Sequence, residues 1–341
     1  MSLTYEQAGV NIDQTDALKK SISSYVGAGD PRVLNGLGPF ASLYDFSFPE
    51  IKNPVLVLKA EEPGSKQKIA VEYGFTESIC HDMINHLIND IAVMGARPLA
   101  VLDTIVCGEA DSSIIESFIK GISEACAVNE CSLVGGETSV QPGVVGRGVY
   151  ILTSTVAGII DKEKVIDGSA INEGDAVIAV ASNGLHTNGY SLLRLIMNNR
   201  PEIKNEIITG ESFINAVMRP HSAYYKTIKK LVNGIATGFA HITGGGIEGN
   251  LSRIIPNNLC AEIGLGKIKT LPLFKLLRDY GGVSDEEMLK TFNCGVGLII
   301  TAKSENADEI IKTVSEDYDC YEIGRIVRGN KKIAFSGELK F

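Results

Sequence analysis

Apolar positions along the chain follow two rhythms. Alternating or continuous apolar runs predict strands at PVLVLK (Pro54 to Lys59), PLAVLDTIV, SLVGG, GVYILTSTVAGII, AVIAVA, IATGFAHIT, FNCGVGLIITA, YEIGRIVR and KKIAF. IAVEY, behind the polar stretch AEEPGSK, reads as a further strand. Between Glu77 and Ala96 the period lengthens: Ile79, Met83, Leu87 and Ile91 recur at helical spacing, with Ile84 and Ile88 beside them. SSIIESFIKGISEACAV, YSLLRLIM, LSRII and the stretch around ENADEIIKTVSE are the other clear helices. Strands and helices interleave in both halves, which predicts an α/β (α+β) fold. The charged, turn-rich DKEKVIDGSAINEGD separates the halves near residue 165, giving expected domains 1–165 and 166–341.

The polar positions add chemistry to this frame. Asp82, Asn85 and Asn89 form a stripe beside the apolar helix face, with Asp90 one step away. Such a set suits either an oxygen-ligand metal site or a solvated helix shoulder. Glu61-Glu62-Pro63-Gly64-Ser65-Lys66 follows a strand with two carboxylates, a glycine turn, a hydroxyl and a lysine. That inventory can hold Mg²⁺ and neutralise a phosphate, or be a solvated turn.

Glycine-bearing loops come next. GGETSVQPG contains Gly135, Gly136, Glu137 and Thr138. SNGLHTNG contains His186, Thr187 and Asn188, and HITGGG contains His241, Thr243, Gly244, Gly245 and Gly246. The last two run from a strand into a helix, where backbone N–H groups can meet a phosphate closely because glycine has no side chain. GLGPFA, with Gly36 and Gly38, reads as a glycine loop over a ligand or as a plain turn. It also fits G-x-G-x-x-A, but GDPRVLN before it is not the buried strand a dinucleotide fold requires. No Walker A motif occurs.

Composition narrows the function classes. The 341 residues carry 32 Lys+Arg against 41 Asp+Glu, a net charge of −9, which argues against a nucleic-acid surface. With 44% apolar and 21% charged residues the chain can bury a core, and 36 glycines fit its many loops. Seven scattered cysteines without a C-x-x-C pair read as reduced thiols packed in that core. MSLTYEQAGVNIDQTD is no secretory signal, and no apolar run approaches the ~18 residues of a membrane span. A cytoplasmic protein without membrane contact is expected.

Seven stretches together resemble the phosphoribosylformylglycinamidine cyclo-ligase (aminoimidazole ribonucleotide synthetase) family. They are YEQAGVNID, INDIAVMGARPLAVLD, LVGGET with Pro142-Gly143, IDG, SNGLHTNGYSLLR, AHITGGG followed by N-x-x-R-I-x-P, and EEMLKTFNCGVGL. The resemblance implies two α/β domains, with N-terminal domains pairing in a homodimer through a shared barrel. It implies ATP, bound without a P-loop, and Mg²⁺. The implied reaction closes formylglycinamidine ribonucleotide to aminoimidazole ribonucleotide, releasing ADP and phosphate. On this reading Glu61 and Asp90 hold metal. Gly36, Gly38, Gly64, Ser65, Lys66, Asp82, Asn89, Gly136, Glu137 and Thr138 serve ATP. His186, Thr187, Asn188 and Thr243 to Gly246 meet the substrate, and Lys66 and His186 are the catalytic candidates. Where the family reads D-G-V-G-T-K this chain has Glu61 to Lys66, and Val140 replaces the second glutamate of G-G-E-T-A-E-M-P-G. A nucleotide-binding relative of the same fold without this turnover is the alternative.

Overall fold

The computed structural model describes residues 17–341 apart from 19 and 28; YEQAGVNID lies outside them. The chain divides into two compact units. One takes the described residues up to Ile91 with Ala96–Glu163, and the other takes Ala92–Gly95 with Lys164–Phe341.

The first unit contains β1 (Pro54–Glu61), α1 (Lys66–Tyr73), α2 (Thr76–Ala92), β2 (Arg97–Cys107), α3 (Ser112–Val128), β3 (Ser132–Val140) and β4 (Tyr150–Asp161). Its sheet order is β1-β4-β2-β3. The two pairings of β4 are antiparallel, while β2 and β3 run parallel across the α3 connection. Asp111 caps α3 by accepting from the Ser113 and Ile114 N–H groups. Helices cover one face: Val101, Ile105 and Cys107 of β2 are buried beneath them. On the other face Leu56, Leu58, Leu102 and Ile151 remain exposed.

Three expectations are corrected. IAVEY is not a strand but the body of α1. Its Ile and Val suggested alternation, yet Lys66, Ile69 and Ala70 share one buried helical face, and packing outweighs β propensity. GGETSV is not a loop but the second half of β3, paired from Gly135↔Leu102 to Val140↔Cys107. Glycine is needed there for proximity, since a Cβ on Gly136 would lie 2.0 Å from Asp103 Oδ1. In the second unit GGGIEGN is not wholly loop: a helix occupies Gly246–Leu251, and LSRII largely follows it.

That second unit contains β5 (Ala176–Ala181), α4 (Tyr190–Asn199), the short pair β6 (Ile207–Ile208) and β7 (Glu211–Ser212), α5 (Phe213–Met218), α6 (Tyr225–Leu231), β8 (Gly238–His241) and α7 (Gly246–Leu251). It continues with β9 (Leu259–Gly264), α8 (Pro272–Gly281), α9 (Asp285–Thr291), β10 (Val296–Ala302), α10 (Ala307–Val314), β11 (Cys320–Arg328) and β12 (Ile333–Ser336). The main sheet is ordered β12-β9-β11-β5-β10-β8. Its inner strands β5 and β10 are almost wholly buried, which explains their unbroken apolar runs.

Candidate functional site

In the first unit the chemistry gathers in three places. The end of β1 brings Glu61 towards α2, where His86 and Asp90 stand one turn apart. Lys59 Nζ lies 3.1 Å from Glu61 and 3.0 Å from Asp90, while His86 Nε2 lies 3.6 and 3.8 Å from the same carboxylates. Burial works to lower the Lys59 pKa, but its bonds and charge attraction to Asp90 and Glu61 prevail and hold it above the ordinary value. Two carboxylates converging on one cation are a fitting donor set for a divalent metal, which would take the place of the Lys59 ammonium. Lys59 and His86 were missed in the sequence. Their signal is spacing: i, i+2 on a strand for Lys59 and Glu61, and i, i+4 on a helix for His86 and Asp90.

Lys66 opens α1 and is fully buried, its Nζ 2.7 Å from Asp82 Oδ1. Burial lowers its pKa, and Asp82 opposes that shift. The α2 stripe is not a solvated shoulder, because Asp82, Asn85 and Asn89 are all buried. Asn129 Nδ2 donates to Asn85 Oδ1 at 2.7 Å, tying α3 to α2. Gly64 has a φ of 62° in the turn before α1, a conformation suited to glycine, and Ser65 follows it.

The third place is a cavity of about 460 Å³ lined by Gly38, Asp103, Gly136, Glu137 and Thr138, with apolar walls that include Ile22 and Ile119. Four of the expected nucleotide-binding residues meet here. Gly36, Gly64, Ser65, Lys66, Asp82 and Asn89 do not line it. Asp103 was not anticipated. It is 5% exposed, and burial pushes its pKa up to about 7, with its own backbone amide pulling down and Glu137 pushing up.

In the second unit the two expected substrate loops lie side by side. A Cβ on Gly244 would sit 3.1 Å from Asn188 Oδ1. His186, His221 and His241 are buried together with Tyr224. The His186 and His221 rings stack at 4.0 Å between centroids, and His221 Nε2 lies 2.8 Å from His241 Nε2. One of those two nitrogens donates and the other accepts, so the two rings cannot both be fully protonated in this arrangement. His186 has a φ of 59°, a left-handed backbone unusual for a residue with a side chain.

Residues distant in sequence hold these loops. Asn293 accepts from Ser182 Oγ at 3.0 Å and from the Gly295 N–H at 2.9 Å, and donates to the Gly184 carbonyl at 2.9 Å. Gly297 leaves room for the cluster, since a Cβ there would lie 1.9 Å from the Tyr224 hydroxyl and 2.7 Å from His186 Cε1. Asn250 donates to the Gly244 and Gly246 carbonyls at 3.2 and 2.8 Å and accepts from Thr243 Oγ1 at 3.2 Å. The Gly246 N–H is already used by the Thr243 carbonyl at 3.1 Å. His221 and Tyr224 gave no motif of their own, and only folding brings them to the loops; Asn250 opens the N-x-x-R-I-x-P stretch that follows AHITGGG.

Comparison with known proteins bears on this arrangement. Residues 53–160 match the family described as AIR synthase related protein, N-terminal domain, and residues 172–336 match AIR synthase related protein, C-terminal domain. A phosphoribosylformylglycinamidine cyclo-ligase of Methylobacillus flagellatus is 39% identical over 328 residues, spanning 95% of this chain and 94% of the relative. This chain belongs to the phosphoribosylformylglycinamidine cyclo-ligase family. The cyclo-ligase of Bacillus cytotoxicus is 37% identical over 348 residues, spanning 99% of both chains. Among solved structures, thiamine-monophosphate kinase from Stenotrophomonas maltophilia shares the fold at TM-score 0.69 and 20% identity, with 95% of this chain and 96% of that one covered. Hydrogenase maturation protein HypE in complex with ATP shares it at TM-score 0.65 and 16% identity, with 97% and 90% covered. No helix among the described residues is long and apolar enough to cross a membrane.

Proposed function

We propose that this protein closes formylglycinamidine ribonucleotide to aminoimidazole ribonucleotide at the expense of ATP, releasing ADP and phosphate. The observation that carries the reading is 37–39% identity to cyclo-ligases over nearly the whole chain. ATP transfers its γ-phosphoryl group to the formyl amide oxygen, turning a poor leaving group into phosphate. The amidine nitrogen then attacks the former formyl carbon, the C–O bond breaks, and a proton leaves the ring nitrogen. Phosphoryl transfer of this kind rests on positioning and charge neutralisation.

In this reading the cavity at Gly38, Gly136, Glu137 and Thr138 receives ATP. Lys66 supplies phosphate charge after turning from Asp82. Glu61 and Asp90 hold Mg²⁺, whose contribution when bound is to offset charge on the transferring phosphoryl oxygens. His186 accepts the proton released on ring closure, and Thr187, Asn188 and the Thr243–Gly246 loop orient the ribonucleotide. The buried, hydrogen-bonded loops favour a preorganised site.

The reading extends to a cytoplasmic homodimer. All seven cysteines are free and buried, as suits a reducing compartment. The exposed Leu56, Leu58, Leu102 and Ile151 give the first unit an apolar sheet face fit for pairing with a second copy. The test is incubation with ATP, Mg²⁺ and formylglycinamidine ribonucleotide, with aminoimidazole ribonucleotide read by its diazotisable amine. Product is expected; ATP binding without product would favour a nucleotide-binding relative.

A further inference from the structure

Asp103 lies in an apolar strand, between Val101 and Ile105, which point the same way into the core. Such a position ordinarily takes a hydrophobic residue. Its Oδ1 fills the space beside Gly136, where a Cβ would come within 2.0 Å of it. Its Oδ2 is buried and has no hydrogen-bond partner. Burying a polar atom unmatched costs free energy, so the atom either strains the fold for nothing or awaits a ligand. Asp103 also lines the cavity, so this oxygen has a space to serve.

The rest of the cavity indicates what enters. Leu18, Ile22, Val26 and Ile119 form apolar walls, and Phe40 lies wholly exposed on the lining. A flat, aromatic ligand with a polar edge matches such a space: its faces lie against aliphatic and aromatic groups and its edge meets the carboxyl.

We propose that Asp103 is the residue that reads the nucleobase of the triphosphate, its carboxyl group bonding the amino-bearing edge of a 6-aminopurine. This rests on the assignment of ATP to the cavity and adds the group that selects the base. A neutral carboxyl donates its O–H to N1 and accepts from the 6-amino group, satisfying both edge atoms of adenine. An ionised carboxylate only accepts; it opposes N1 of adenine and suits the adjacent N–H donors of guanine instead. The protonation state therefore sets the base preference.

The surroundings favour the neutral form up to about pH 7. Burial pushes the Asp103 pKa up to about 7, and Glu137 on β3 pushes the same way. Cys80 of α2 and Cys126 of α3 feel its charge from the helices, and Asp82 of α2 acts on the same Cys80. Burial holds the Cys80 thiol well above its ordinary range, and a hydrogen bond with Cys131, then burial, does the same for Cys126, so both stay neutral. Asp82 is bound to Lys66.

The experiment uses the full chain. Photolabelling with 2-azido-ATP and peptide mapping locates the base, and calorimetry gives the ATP:GTP affinity ratio at about pH 6 and about pH 8 for wild type, Asp103→Asn and Asp103→Leu. We expect label on the Leu37–Phe40 or Gly135–Thr138 peptide. We expect a wild-type ratio that falls on the order of tenfold from the lower to the higher pH. Asp103→Asn, whose amide keeps one donor and one acceptor at every pH, holds a constant ratio. Asp103→Leu takes label but loses the preference. Label in the cavity with an unchanged, pH-dependent ratio in both variants overturns the role of Asp103 and leaves the ATP assignment standing. Label elsewhere, or none, overturns the ATP assignment and this inference with it. Asp103→Asn is nearly isosteric, so its melting curve separates a folding defect from a recognition defect.

Discussion

At the scale of single residues, Asp103 makes a prediction about stability as well as binding. Its carboxyl holds a proton to about pH 7 in the folded protein, against 3.8 in an ordinary setting. Between those values the folded state binds more protons than the unfolded chain, so stability falls as pH rises through the window. The full effect is on the order of 4 kcal/mol. Asp103→Asn removes that slope: thermal melts of wild type should drop from about pH 5 to about pH 8 by clearly more than those of the variant. Parallel curves would contradict the buried, protonated carboxyl. The residue was legible in part, because a lone acid in PLAVLDTIV stands at a core position of the alternation. His221 was not legible. Its partners His186 and His241 lie 35 and 20 positions away along the chain, and nothing local in RPHSAYYK marks it.

At the scale of elements, the long periodic segments could be read directly, since α2, α3 and the buried strands each repeat one rhythm over many residues. Misreadings fall where glycine or β-branched residues meet tertiary demands. Gly135 and Gly136 sit inside β3 because β2 supplies the ladder and Asp103 fills the space a side chain would take. IAVEY is helix because Ile69 and Ala70 bury one face of α1. The loop SNGLHTNG was visible as a motif, but what fixes it was not: Asn293 reaches it from the turn before β10. Asn293→Ala should leave buried groups of Ser182, Gly184 and Gly295 without their partner, costing about 2–4 kcal/mol of stability. Because the loop carries His186, turnover should fall by more than the folded fraction does. Urea unfolding and steady-state kinetics on the same preparation check this; a loss of activity matching the loss of folded protein would deny the positioning role.

At the scale of the whole molecule, the first unit presents a sheet covered by helices on one side and apolar on the other. A lone domain seldom leaves leucines at such a face, and the proposed association with a second copy would remove them from water. On the proposed pairing the wild type sediments as a dimer, and Leu58→Asp together with Leu102→Asp should sediment as a monomer in analytical ultracentrifugation, with the far-ultraviolet spectrum retained. An unchanged sedimentation coefficient would place any dimer contact elsewhere.

The proposed reaction consumes ATP and ribonucleotide together. The most direct test incubates the purified protein with ATP, Mg²⁺ and formylglycinamidine ribonucleotide and quantifies aminoimidazole ribonucleotide against ADP. Equal amounts of the two products are expected, each dependent on both substrates, with loss of both on Lys66→Ala. ATP bound without either product, or ADP formed without the closed imidazole ring, would contradict the cyclo-ligase reading.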